Sequence, residues 1–140
     1  MIKRLKKILA KKPITHLGHL DILDRIHNGR THSAHKYLVG NSECIVGTHE
    51  NTQTHQFAMH LTKNFISHEI GTFKVQGKTI QLKLPTTLNP ELGAITLKEI
   101  KRHCDELHHT KIVFPYAKKF EKIAIGQGYK REGNIFVLEV

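Results

Sequence analysis

Twelve histidines in 140 residues are the first chemistry this chain offers. His16/His19, His32/His35, His55/His60 and His108/His109 are pairs at short spacing, and nine of the twelve lie between His16 and His68. Zinc needs three or four convergent ligands with fixed tautomers. His16/His19 and His32/His35 fall in or beside expected loops, so convergence is open to them. Yet no acidic partner or cysteine pair accompanies them, and Cys44 is the one nearby thiol. Scattered, solvated imidazoles are the simpler reading, and no metal is assigned. Such imidazoles would charge between about pH 7 and 5.

The other reactive residues form no recognisable set. Cys44 and Cys104 are too few for a disulfide framework and lack C-x-x-C spacing, which fits reduced thiols. Cys104 adjoins His103, but neighbours on a helix point different ways, so a packed core thiol is expected rather than a nucleophile. Gly77-Lys78-Thr79 imitates the end of a phosphate-binding loop. Five residues separate it from Gly71 where the motif has four, and the segment reads as a turn between strands. Gly126 and Gly128 are followed by Arg131 where a dinucleotide fingerprint needs its third glycine. No Ser/His/Asp set stands out.

Charge says more about partners than about reactions. Lysine and arginine number 22 against 12 acidic residues, a formal charge of +10. Such a chain seeks an anionic partner, nucleic acid or an acidic protein surface. Aromatic interleaving among the basic residues is slight (Tyr116, Phe120, Tyr129), which suits backbone contact better than base stacking. No run approaches the roughly 20 apolar residues of a membrane span. Ile8-Leu9-Ala10 is too short for the apolar region of a signal peptide, so a cytoplasmic protein is expected.

The elements that must position these residues follow from periodicity. Residues 2–12 read as a basic amphipathic helix, with Ile2, Leu5 and Leu9 on one face and Pro13 as its stop. His19 to Asn28 reads as a second helix ending at Gly29, and Arg30 to His35 as loop. Lys36–Val39 and Glu43–Val46 flank Gly40-Asn-Ser42 as a hairpin. Thr48 to Thr54 reads as polar loop, and Gln56 to Phe65 is ambiguous, leaning to strand. Thr72–Val75 and Lys78–Leu84 form a second hairpin about Gln76-Gly77, and Pro85 to Gly93 a loop. Thr96-Leu-Lys-Glu99 has the spacing of a capping box, opening a helix to about His108 with Leu97, Ile100, Cys104 and Leu107 inward. Lys111–Tyr116 is a strand, Ala117–Ile125 a helix, Lys130–Gly133 a turn and Asn134–Val140 the closing strand. This order predicts one α+β domain around a central mixed, mostly antiparallel sheet flanked by helices.

The closing run carries a resemblance. Strand, helix, then Gly128-Tyr-Lys-Arg-Glu-Gly133, then strand resembles the carboxy-terminal end of acyltransferases of the GNAT superfamily. Tyr37 to Gly47 is similar to that family's second and third strands, and Thr96 to His109 to the helix after its cofactor loop. Phe120-x-Lys122 with Tyr129-Lys-Arg-Glu-Gly-Asn-Ile-Phe-Val-Leu138 is also similar to small GNAT-like internal virion proteins of short-tailed phages. The resemblance implies acetyl-CoA held on backbone amides near Gly93 and Ala94, Tyr116 as general acid, and Glu69 or a histidine as base.

The chain departs from that pattern where the chemistry lies. The family's Gln/Arg-x-x-Gly-x-Gly/Ala loop corresponds to Asn89-Pro-Glu-Leu-Gly-Ala94, about five residues shorter and without the basic residue. Glu91 sets a negative charge where phosphates would lie, and the family's usual tyrosine position is Ala124. The expectation is therefore a GNAT-like protein with a degraded acyl-CoA loop and no cofactor. It would act by interaction, as a phage-type accessory or virion protein in the host cytoplasm or particle. A working N-acetyltransferase and a nucleic-acid- or metal-binding protein are the alternatives.

Overall fold

A computed structural model describes residues 13–19, 31–51, 53–54 and 56–140. The helix expected at residues 2–12 and all but His19 of the one expected at His19 to Asn28 lie outside the described residues, as does His55. The described chain runs β1 (Ile14–His19), β2 (Thr31–Val39), β3 (Ser42–Asn51), β4 (Gln56–Lys63), β5 (Ile66–Gln76) and β6 (Thr79–Lys83). Helix α1 (Pro90–Glu106), β7 (Lys111–Pro115), a 3-10 turn (Lys118–Phe120), α2 (Glu121–Gly126), β8 (Lys130–Glu132) and β9 (Ile135–Glu139) follow. The strands form one sheet in the order β1-β2-β3-β4-β5-β6-β7-β9-β8. Every neighbouring pair is antiparallel except β6 and β7, which α1 joins in parallel. The mixed, mostly antiparallel α+β architecture expected from the element order is present.

Both hairpin signals act where glycine permits the turn. Gly40 (φ 61°) closes β2 onto β3, and Gly77 (φ 62°) closes β5 onto β6. The segment from Gln56 is a strand, as the alternation of Phe57, Met59 and Leu61 leaned.

Several boundaries move. His19 ends a strand rather than opening a helix, and residues 31–35, expected as loop, begin β2. Thr48 to Asn51, also expected as loop, continue β3, because Thr48 and Glu50 stand opposite Met59 and Phe57 in the ladder. Ladder pairing overrides the weak strand propensity of these polar residues. Residues 130–132, expected as a turn, pair with β9. Leu107, expected inward, is 48% exposed, because α1 ends at Glu106 and His108 turns the chain at φ 58°.

One face of the sheet packs beneath α1 and α2. Phe73, Ile80, Leu82, Ile112, Phe114 and Phe136 are its buried strand residues, joined by Leu97, Ile100 and Cys104 of α1 and Ala124 of α2. Each large apolar side chain so buried contributes about 1.5–3 kcal/mol. Strand β5 carries one extra residue there. Met59 pairs with Gly71 and His60 with Glu69, so Ile70 bulges, fully buried. The Thr96 hydroxyl of α1 lies 3.0 Å from the Ile70 carbonyl and 2.8 Å from that of Leu92, and shares its proton between them.

Candidate functional site

Helix α1 starts seven residues earlier than its capping-box spacing predicts. Asn89, in extended conformation, is the N-cap; its Oδ1 accepts from the Leu92 amide at 2.9 Å. Its carbonyl accepts from the Gly93 amide at 3.0 Å, and Pro90 carries no amide hydrogen. Glu91 sits in the first turn, where a carboxylate complements the helix dipole. Residues 90–93 are therefore helix rather than loop, and Thr96 lies inside it.

This placement fixes what Gly93 and Ala94 do. The Gly93 amide is spent on the first intrahelical bond, and the Ala94 carbonyl accepts from Gln127 Nε2 at 3.0 Å. A Cβ on Gly93 would stand 2.9 Å from Ile123 Cδ1 and 3.0 Å from the Phe120 ring. The glycine lets the segment 118–126 close against α1.

Tyr116 follows β7, half-buried. Its hydroxyl donates to Glu121 Oε2 at 3.0 Å, and the Arg131 guanidinium stacks 3.6 Å above its ring. Burial, with the Glu121 carboxylate beside it, raises the phenol above its ordinary value. Glu69 is exposed on β5, opposite His60 of β4. Strand β6 lies between β5, which carries Glu69, and β7, which Tyr116 follows, and the Tyr116 hydroxyl is bonded to Glu121 rather than to Glu69.

Beyond Gln81 and Val113 the parallel strands β6 and β7 no longer pair. A groove of about 450 Å³ opens here, with Val113, Pro115 and Ile135 among its apolar walls and Lys74, Lys83 and Gln81 as polar groups. Among the described residues no acidic side chain lines it.

The second concentration of chemistry, which sequence reasoning missed, is a chain of polar side chains between β1, β2 and the second half of α1. The buried Tyr37 hydroxyl donates to Glu99 Oε2, and Glu99 has no exposed surface. Arg102 reaches Glu99 Oε1 through Nη2 at 2.6 Å and through Nε at 3.1 Å, and donates to Glu106 through Nη1. Burial, then the Glu99 charge, raises the Tyr37 phenol far above its usual range. Burial works against the charge on Arg102, but its hydrogen bonds to the carboxylates of Glu99 and Glu106, with their charges, outweigh burial and raise it.

His35 extends this chain toward solvent. Its Nδ1 lies 2.7 Å from His16 Nε2, and the His19 ring meets its edge at 5.1 Å between centroids. One nitrogen of the His16/His35 pair must donate and the other accept, so the bond needs at least one neutral ring. Burial, then Arg102, His16 and His19, lower His35 to about 4, against the opposing pull of Glu106. A cleft of about 440 Å³ opens beside it, lined by His16, Tyr37, Lys98, Lys101, Arg102 and Gln127 among others. The sequence did hold a signal: Glu99, Arg102 and Glu106 share one face of a helix.

The remaining histidines scatter. His60 stacks on His49 at 4.8 Å, and His103 is buried with its Nε2 making no hydrogen bond to a described residue. His108 and His109 follow α1, where the His109 amide donates to the Cys104 carbonyl. Among the described residues no group of three or more His, Cys, Asp or Glu is arranged to hold a metal ion. Cys44 and Cys104 are buried free thiols, both raised by burial.

Set beside protein-family models, curated proteins and solved structures, the chain matches none.

Proposed function

We propose that this protein is a GNAT-like scaffold whose acyl-CoA cradle is closed, and that it acts by interaction with an anionic partner rather than by acyl transfer. The observation that carries the proposal is the start of α1. The amides of Leu92 and Gly93 are taken by Asn89, and Phe120 and Ile123 fill the space beside Gly93. A pyrophosphate would meet Glu91 and occupied donors. The fold half of the reading is supported by the mixed, mostly antiparallel sheet and by the closing order of strand, helix and hairpin over residues 111–139. Tyr116, the candidate acid, is committed to Glu121.

The interaction half rests on charge. Lys98 and Lys101 on α1, and Lys118, Lys119, Lys122 and Lys130 after β7, are exposed. They suit nucleic-acid backbone or an acidic protein surface. The likeness of residues 120–138 to internal virion proteins makes a phage-type accessory role the setting we propose. Calorimetric titration with acetyl-CoA tests the first half: no saturable heat is expected, and micromolar binding would restore the acyltransferase reading. Salt-dependent retention on DNA, compared with a polyglutamate column, identifies the partner class.

A further inference from the structure

Strand β1 carries an extra residue that changes which side chains share a face. His16 stands opposite Tyr37, Gly18 opposite Lys36 and His19 opposite His35, so Leu17 bulges. In a regular strand, residues three apart point to opposite faces. The bulge offsets that alternation and brings His16 and His19 to one side of the sheet, where Tyr37 and His35 approach α1. Gly18 takes φ 136°, which side chains rarely adopt, and a Cβ on it would meet nothing within 4 Å. The glycine therefore serves the bend rather than close packing.

Three imidazoles meet as a result. His16 Nε2 lies 2.7 Å from His35 Nδ1, and the His16 and His19 rings stand 4.9 Å and 5.1 Å from the His35 ring between centroids. Once His16 and His35 are both protonated, their bond has no acceptor. The surroundings hold no uncommitted counter-charge among the described residues. Arg102 of α1 adds a like charge, Lys98 and Lys101 line the adjoining cleft, and the β3 residue opposite His35 is Val46. Glu106 pulls the other way, but it and Glu99 are bonded to Arg102, and Asp105 to Lys101 at 3.4 Å. On β2 itself, the Tyr37 hydroxyl donates to Glu99, and Lys36 is paired with Glu43. Among the described residues β1 is an edge strand bonded to β2 alone, and Ile14 is its one side chain packed against the core. An edge held by so few contacts opens locally before the whole fold does.

We propose that His16, His19 and His35 are an acid-operated latch, which holds β1 on β2 while a ring is neutral and releases it when the rings charge. Release leaves the backbone edge of β2 from His35 to Val39 open to water. Attached, His35 is lowered to about 4 by burial, then by Arg102, His16 and His19. Released, it loses the burial and both histidines and returns toward the ordinary 6.5. The attached state is therefore favoured above about pH 6.5 and loses ground as pH falls toward about 4. This inference is independent of the acyl-CoA reading, since a chain that bound acetyl-CoA could still carry the latch.

Hydrogen exchange of the full chain at about pH 7.5 and about pH 5 tests it, with rates corrected for the intrinsic pH dependence of exchange. The amides of residues 14–19 that pair with β2 should open more readily than those of β6 and β7. That opening should not respond to low urea, as a global unfolding would. The opening constant should rise about tenfold at the lower pH. A full return of His35 from about 4 to 6.5 would give roughly thirtyfold, and Arg102 retains part of the shift. His35→Gln, which hydrogen-bonds but never charges, should abolish the rise. His16→Gln, at an exposed position where the fold is safe, should lessen it. His103→Leu, outside the cluster, should leave it in place. No rise in the parent, an equal rise in His35→Gln or in His16→Gln, its loss in His103→Leu, or β1 amides that open only together with β6 and β7 would each overturn the latch.

Discussion

Tyr37 and Glu99, 62 residues apart, are joined by a hydrogen bond buried between strand β2 and helix α1. Glu99 is in turn held by Arg102, which closes the network from the solvent side. The sheet and the helix are thereby tied by charge as well as by apolar packing.

Removing the phenol tests that tie. Tyr37→Phe deletes one donor to a buried carboxylate and should destabilise the protein by about 1–3 kcal/mol. Arg102→Met strips the counter-charge from Glu99 and should cost more, about 3–5 kcal/mol. Urea denaturation of both variants measures the order; equal midpoints for Arg102→Met and the parent would show the ion pair to be idle.

Helix α1 has two competing start signals, and mutation separates them. Asn89→Ala should lose about 1 kcal/mol, the ordinary value of an N-cap side chain. Thr96→Val should also destabilise, by about 1–3 kcal/mol, because the buried Ile70 carbonyl loses its donor. Guanidinium unfolding measures both; a capping role for Thr96 would instead leave Asn89→Ala neutral.

Acid should weaken the fold through two histidines. His35 and His103 are each lowered to about 4, in both cases chiefly by burial and then by Arg102. For His103, Glu99 and Glu106 pull the other way, while His109 adds to the lowering. Unfolded histidine titrates near 6.5, so between about pH 6.5 and 4 the unfolded chain binds the protons and stability falls as pH falls. Below about 4 this contribution levels off. The melting temperature should decline across that window, and His103→Leu should flatten the slope. An unchanged slope would mean that the ring charges without cost.

Gly93→Ala tests close packing against α1. Alanine favours a helix by up to about 1 kcal/mol over glycine. Here its Cβ would press on Phe120 and Ile123, and overpacking typically costs about 1–3 kcal/mol. A net loss in thermal stability is expected; a gain would show open space at Gly93 and revive it as a ligand site.

The sequence alone determined what depends on neighbours along the chain. Gly40 and Gly77 marked their hairpins because tight turns need positive φ. The short apolar runs in Lys111–Tyr116 and Asn134–Val140 marked strands, and Ile100, Cys104 and Ala124 carried the helical period of the core. Tertiary structure decided the rest. Thr96 and Glu99 have capping-box spacing, yet both are buried, one serving the bulge at Ile70 and the other Tyr37. Local preference could not reveal those partners, 26 and 62 residues away. Thr48 to Asn51 read as loop because their strand character comes from the ladder with β4 rather than from their side chains. The meeting of His16, His19 and His35 was equally hidden, because it depends on the register of β1 against β2, which spacing along the chain does not encode.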